Sequence, residues 1–464
     1  MRGPTRAAPR PPGFRLAAWL CLALLAGAPL GCDKVDHENI DKWMSTEHGA
    51  DKLRAALRSG EHDADLRAHA AQNLILHPES LFSVAKDALS DMEPSEQQEI
   101  MAALAPRLWE SATQGLRDEM QVPSPGNAQA KDALFELRGF ADEATRSKID
   151  GYLIDWLSAY YEGRAKVGRV SGRVIIKQVG RAAAPKLIEE ARSTLARPPG
   201  PDGERLKVGD ELLAGLAWTG DAEAAGLLMD MITGDYKDTS LPRRAIAALH
   251  EAYVEPLAGT PLPGRDALLP HIDRLAAVAR DENLPGVMNN DAVELISVVG
   301  PPECIPPFVE LVSLPAAQEA FRWVGTQRGL RCGGAQAVVP IVEAIPSAAS
   351  YERALLEKYV WKEIVGAPAP AKVAEQARQL LSSRSWVAKV TGIEVLGALA
   401  LPDSAAEDAK RIRQLAGDRT RLTGWWGKQK DVPAAQRKKD PTIGQVATEV
   451  AGRLQGLAKG PKTK

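Results

Sequence analysis

The sequence predicts an all-α fold in which antiparallel helix hairpins stack one on the next. Three observations carry this. Aromatic residues are only 5% of the 464-residue chain and alternating runs of Val, Ile, Thr and Tyr are almost absent, which argues against a sandwich or barrel. Alanine and leucine, both strong helix formers, are abundant. Helix-length apolar segments also recur in pairs joined by Gly/Pro turns, at spacings of about 33 to 45 residues. The totals suit such an array. A chain of 464 residues is long for one core, whereas a repeat array has no such limit, since each unit packs only on its neighbours. A formal net charge of -2 gives no global attraction to nucleic acid. Four cysteines are too few for a disulfide scaffold.

At the N-terminus, Arg2, Arg6, Arg10 and Arg15 precede an apolar run, Leu16 to Leu30. At roughly 15 residues the run is short for a membrane-spanning helix and has the size and flanks of a secretory signal. It ends in Pro29-Leu30-Gly31-Cys32, followed by Asp33-Lys34-Val35-Asp36. This resembles a bacterial lipoprotein lipobox: Gly31-Cys32 match the small residue and the cysteine, while Pro29 stands where the pattern usually has leucine. The resemblance implies removal of residues 1–31 and diacylation of the Cys32 thiol. It implies a lipid-anchored protein of the bacterial cell envelope, facing the periplasm, with inner or outer membrane left open. Two or three acyl chains would tether it stably, at about 0.8 kcal/mol per buried CH₂. The alternative is an ordinary cleaved signal with a chance cysteine.

Residues 32–49 read as a polar tether running into a first helix around Ile40 to Met44. Residues 50–165 read as irregular helical repeats. Asp63, Leu66, Arg67 and Ala70 fall on the D-x-x-V-R-x-x-A pattern of HEAT repeats and their armadillo relatives, which this stretch resembles. The resemblance implies that Asp63 caps a second helix and that Arg67 reaches a neighbouring repeat; aspartate is a strong N-cap. Ser95 and Gln98 look like a capping box. Val122 to Asn127 reads as a turn or loop.

Residues 166–418 read as the regular part of an α-solenoid. Gly180 and Gly220-Asp221 mark turns. In Ala292 to Val312, Gly300, Pro301 and Pro302 stop one helix, and Pro306-Pro307 open the next. Pro307-Phe308-Val309-Glu310 has its counterpart one unit downstream, at Pro340-Ile341-Val342-Glu343. A strict tetratricopeptide pattern is missing. Residues 419–464 read as a basic loop and a capping helix, Thr442 to Leu457.

Few residues suggest chemistry. Five of the seven histidines, His37, His48, His62, His69 and His77, fall early and among carboxylates. Imidazole and carboxylate suit zinc, and His62 and His69 are the weak metal candidates, but the paired helical spacing of a zinc motif is missing. A solvated polar first repeat is the alternative. Cys304 and Cys332 are expected either as a disulfide or as two buried thiols. Trp425-Trp426 reads as a partner-binding pair or as a cap folded onto the end of the array. Trp109, Trp156, Trp218 and Trp386 read as core. No G-x-S-x-G, phosphate-binding loop, dinucleotide fingerprint or Cys-x-x-Cys occurs. The expectation is therefore a protein that is no enzyme, without cofactor, nucleic acid or identified small-molecule substrate. It would bind a protein or peptide partner as scaffold or adaptor. A metal-binding or enzymatic role for the His/Asp-rich region, and a purely structural envelope role, are the rivals.

Overall fold

The helices follow the turn chemistry. The computed structural model describes residues 34–79, 81–116, 121–197, 207–236, 238–255, 263–315, 319–427, 429 and 433–458. The stretch read as a secretory signal and Cys32 lie outside the described residues. Among the described residues there is no strand, only an isolated antiparallel bridge between Arg421 and Thr442. The chain is an all-α solenoid of helix hairpins, divided into two compact units: residues 1–116 with 123–152, and residues 117–122 with 153–464.

The first unit holds α1 (His37–Trp43), α2 (Gly49–Arg58), α3 (Ala64–Leu76), α4 (Phe82–Ser90), α5 (Pro94–Thr113) and α6 (Pro125–Leu137). Here α3 packs on α2 and α5, and α6 packs on α5. Asp63 caps α3 by accepting from the Leu66 N–H at 2.8 Å. Arg67 is buried; its Nε donates to the Leu57 carbonyl at 2.9 Å and its Nη1 reaches Glu96 at 3.4 Å. Three expectations need correction. The first helix starts earlier than the expected Ile40: Asp36 caps α1 at His37, and Ile40 and Trp43 are buried. Ser95 forms no cap, because α5 starts one residue earlier, at Pro94. The reciprocal capping box lies instead at Ser124 and Asn127, within the expected loop, with Pro125 in the first helical turn.

Helix α7 (Glu143–Ser158) is followed by α8 (Tyr161–Arg164). Tyr161 is buried, and the Glu162 carboxylate accepts from the Leu212 N–H of α11 (Asp210–Trp218) at 2.8 Å.

The second unit is two rows of helices. One row runs α9 (Gly172–Val179), α11, α13 (Leu241–Tyr253), α15 (Gly286–Val299) and α17 (Glu319–Gly333). It continues through α19 (Arg353–Leu356), a π-helical turn (Glu357–Trp361), α20 (Lys362–Val365), α22 (Trp386–Leu399) and α24 (Ile443–Ala458). The other row holds α10 (Ala184–Ala196), α12 (Ala222–Thr233), α14 (Ile272–Arg280), α16 (Ile305–Val312), α18 (Val338–Ala344) and α21 (Pro370–Leu380). The helix α23 (Ala405–Arg413) packs on α24. Turns fall where the sequence puts them. Gly300 ends α15 with φ +83°, a conformation glycine adopts freely, and Pro306 and Pro307 open α16. Asp221 caps α12, accepting from Glu223 N–H at 2.8 Å and Ala224 N–H at 3.1 Å. No helix among the described residues is long and apolar enough to cross a membrane.

Candidate functional site

The first row of the second unit carries a ladder of ion pairs, one rung per helix step. Arg173 of α9 reaches Glu211 of α11 at 3.1 Å and Glu251 of α13 at 2.6 Å. His250 of α13 meets Glu294 of α15 at 2.7 Å, and Glu294 also takes Arg328 of α17. Gln327 of α17 donates to Glu363 of α20 at 3.0 Å, and Arg331 binds the same carboxylate through Nε at 2.7 Å. At the far end Arg353 of α19 and Arg453 of α24 flank Glu394 of α22, at 3.5 and 4.0 Å. Most of the carboxylates sit deep and most of the cations are half-exposed. A half-exposed pair contributes about 0–1 kcal/mol, so the ladder sets register and a polar face more than stability.

Two rungs contrast. The hydrogen bonds from Arg331 hold the Glu363 carboxyl below its usual range. Burial holds Glu394 above its usual range, because its arginines stand too far off to offset desolvation. A cleft of about 600 Å³ opens at this looser end, lined by Arg353, Trp361, Lys362, Glu394, Gly397 and Arg453.

The histidines behave differently from the expectation. His62 is half-buried in the α2–α3 turn, on a wall with Trp43 and Lys52, and is not brought to His69. His69 meets His37 instead, Nδ1 to Nδ1 at 2.8 Å. The other His69 nitrogen, Nε2, lies 2.8 Å from Asp41, while His37 Nε2 lies 3.4 Å from Asp65, which also accepts from Arg107 at 2.8 Å. Among the described residues no group of three or more His, Cys, Asp or Glu is arranged to hold a metal ion. The histidine pair is a bracket that docks α1 on α3.

Burial holds His69 below the ordinary histidine value of 6.5. The unfolded chain therefore takes up this proton before the folded one does. Stability is full above about pH 6.5 and falls as pH drops below it. The Nδ1–Nδ1 contact also has room for one proton only. Hydrogen exchange of α1 amides, corrected for intrinsic rates, should speed up severalfold more between pH 7.5 and 5.5 than in His69→Gln. Equal pH responses in the two proteins would refute the bracket.

Cys304, the N-cap of α16, and Cys332, in the last turn of α17, are joined in a disulfide with Cα atoms 6.7 Å apart. Trp425 is corrected as a partner-binding residue: it is 4% exposed and packs against Trp361, with ring centroids 6.0 Å apart. Trp426 is 40% exposed and held by its own loop, donating to the Lys439 carbonyl at 3.1 Å beneath the Lys438 ammonium. Trp156, Trp218 and Trp386 are core, and Trp109 stacks on Tyr152 at 5.0 Å. The sequence reading missed the ladder, since its rungs join residues on different helices with no local motif between them.

No family model and no curated protein matches the chain. Among solved structures it is similar to human deoxyhypusine hydroxylase in complex with glycerol, with 16% identity over 78% of this chain and 98% of that one and a TM-score of 0.22. The expectation that the chain is no enzyme is corrected: the lack of a familiar catalytic motif excludes no activity, and a structure the chain matches is that of a hydroxylase. A likeness this distant assigns the chain no activity, substrate or catalytic residue.

Proposed function

We propose that this chain is a HEAT-like repeat protein that binds a protein or peptide partner along the first helix row of its second unit, as scaffold or adaptor. The observation that carries the reading is the ladder. An unbroken row of helices presents paired charges whose cations remain half-exposed, the kind of polar, register-holding face that recognises an extended partner. Asp63 as a cap, and Arg67 bridging α2 and α5, favour the HEAT-like assignment over other helical repeats. The protein is tethered to the cell envelope through lipid on Cys32. A disulfide between Cys304 and Cys332 is chemistry suited to an oxidising compartment and agrees with export.

Photo-crosslinking in intact cells tests the binding face. Probes replacing Arg328 and Arg331 on the first row should capture one reproducible partner, and a probe at Glu189 on the other row should not. Capture of nothing from the first row would sink the proposal. The anchor is tested separately: Cys32→Ser should abolish acyl labelling, and labelling that persists would refute it.

A further inference from the structure

We infer that the cleft at the Glu394 end of the ladder is a carboxylate-binding site that receives an acidic segment of a partner protein; this rests on the partner-binding reading above.

Charge comes first. Arg353, Lys362 and Arg453 line the cleft against only Glu357 and Glu394. The floor carboxylate, Glu394, does not saturate its neighbours, because Arg353 and Arg453 stand 3.5 and 4.0 Å away. Arg353 Nε has no hydrogen-bond partner, and Lys362 forms no ion pair among the described residues. Guanidinium groups offer a planar fork of N–H donors that matches a carboxylate in two parallel bonds.

Presentation comes second. The Arg353 guanidinium lies beside two indoles that pack on each other, 5.9 Å from the Trp361 ring and 5.8 Å from the Trp425 ring. Its backbone N–H donates to the Trp425 carbonyl at 3.0 Å. Trp361 is in turn fixed by its Nε1–H to Thr391 at 3.1 Å. An arginine held this way loses little freedom on binding. Gly397 lets α24 lie close on α22 beside the cleft, since a Cβ there would stand 2.5 Å from Val450 Cγ1 and 2.8 Å from Arg453 Nη2.

Backbone comes third. The wall that supplies Glu357 and Trp361 is a π-helical turn, an irregularity that recurs at functional sites. The cleft is also open beside the ladder, with Arg353 and Arg453 side chains 43% and 50% exposed. That opening lets a chain segment carry its acidic side chain inward, rather than enclosing a free acid.

The test uses the purified full-length protein and a fluorescein-labelled Glu/Gly-repeat peptide, with a Gln/Gly-repeat peptide and free glutarate as comparisons. The acidic peptide should bind with an affinity that falls as salt rises, and Arg453→Glu should weaken it by about tenfold or more. Arg453→Lys should retain part of the affinity, and Arg192→Glu, on the other helix row, should leave it unchanged. Melting curves confirm that each variant folds. Equal binding of the two peptides, or of wild type and Arg453→Glu, would overturn the inference. So would competition by glutarate at the peptide's own concentration, which would make the occupant a free acid. If crosslinks form along the row while the acidic peptide fails to bind, the cleft assignment falls and the partner-binding reading stands. If neither is seen, both fall.

Discussion

Replacing Cys304 and Cys332 together by alanine is expected to destabilise the second unit by about 3–4 kcal/mol. The bond closes a loop with a sequence separation of 28, and the chain-entropy account of cross-links gives that magnitude for a loop of this length. The loop contains all of α16 and most of α17. Without the bond, the unfolded chain regains the freedom of both helices, while the folded state loses one covalent tie between neighbouring repeats. Repeat arrays can also unfold unit by unit, so the loss should appear first around α16 and α17 and not as a uniform change. Urea unfolding followed by tryptophan fluorescence separates the cases. Oxidised wild type should unfold at higher urea than the dithiothreitol-treated protein, and the double variant should match the latter. Coincident oxidised and reduced curves would show that the staple contributes nothing. Alkylation of both cysteines in the native, unreduced protein would show that it does not form.

What was legible in the sequence was whatever is written locally. The Gly300 stop, the Pro306-Pro307 start, the Gly220-Asp221 turn and the Asp63 cap each need only a few consecutive residues, and each is where the sequence reading places it. The helix class followed from composition and pairing. Features that depend on two distant stretches were not legible. His37 meets His69 across 32 positions, and Arg328 meets Glu294 across 34, with no spacing rule to announce either pair. Ser124 was hidden for a different reason: Ser-Pro-Gly reads as a turn, yet proline suits a first helical turn, so the same residues start a helix. The tryptophan doublet shows the limit most clearly. Gly424 and Gly427 bracket it at φ +82° and +73°, and within that tight turn one indole points into the core at Trp361 while the other stays on the loop.

The packing of α16 on α17 makes the second large prediction, and magnitudes decide its sign. Phe308 is fully buried, so Phe308→Ala should cost about 3–5 kcal/mol from lost burial and the cavity left behind. Its ring rests on Gly329, one of three glycines spaced four apart, Gly325, Gly329 and Gly333, along the face of α17 turned to α16. A Cβ on Gly329 would lie 2.8 Å from Phe308 Cβ and 2.8 Å from Ile341 Cδ1. On propensity alone, Gly329→Ala should stabilise α17 by about 1 kcal/mol. Overpacking of a tight core costs about 1–3 kcal/mol, so the net change should be destabilising by about 1 kcal/mol. The two sites touch, so they should not add. With the phenyl ring gone, Ile341 and the α16 backbone can shift into the space, and the alanine Cβ then meets less resistance. The double variant should be less damaged than the sum of the single changes by about 1 kcal/mol. Urea unfolding of the four proteins measures this directly. Strict additivity, or a Gly329→Ala protein more stable than wild type, would mean that the glycine stripe is not what lets these two helices approach.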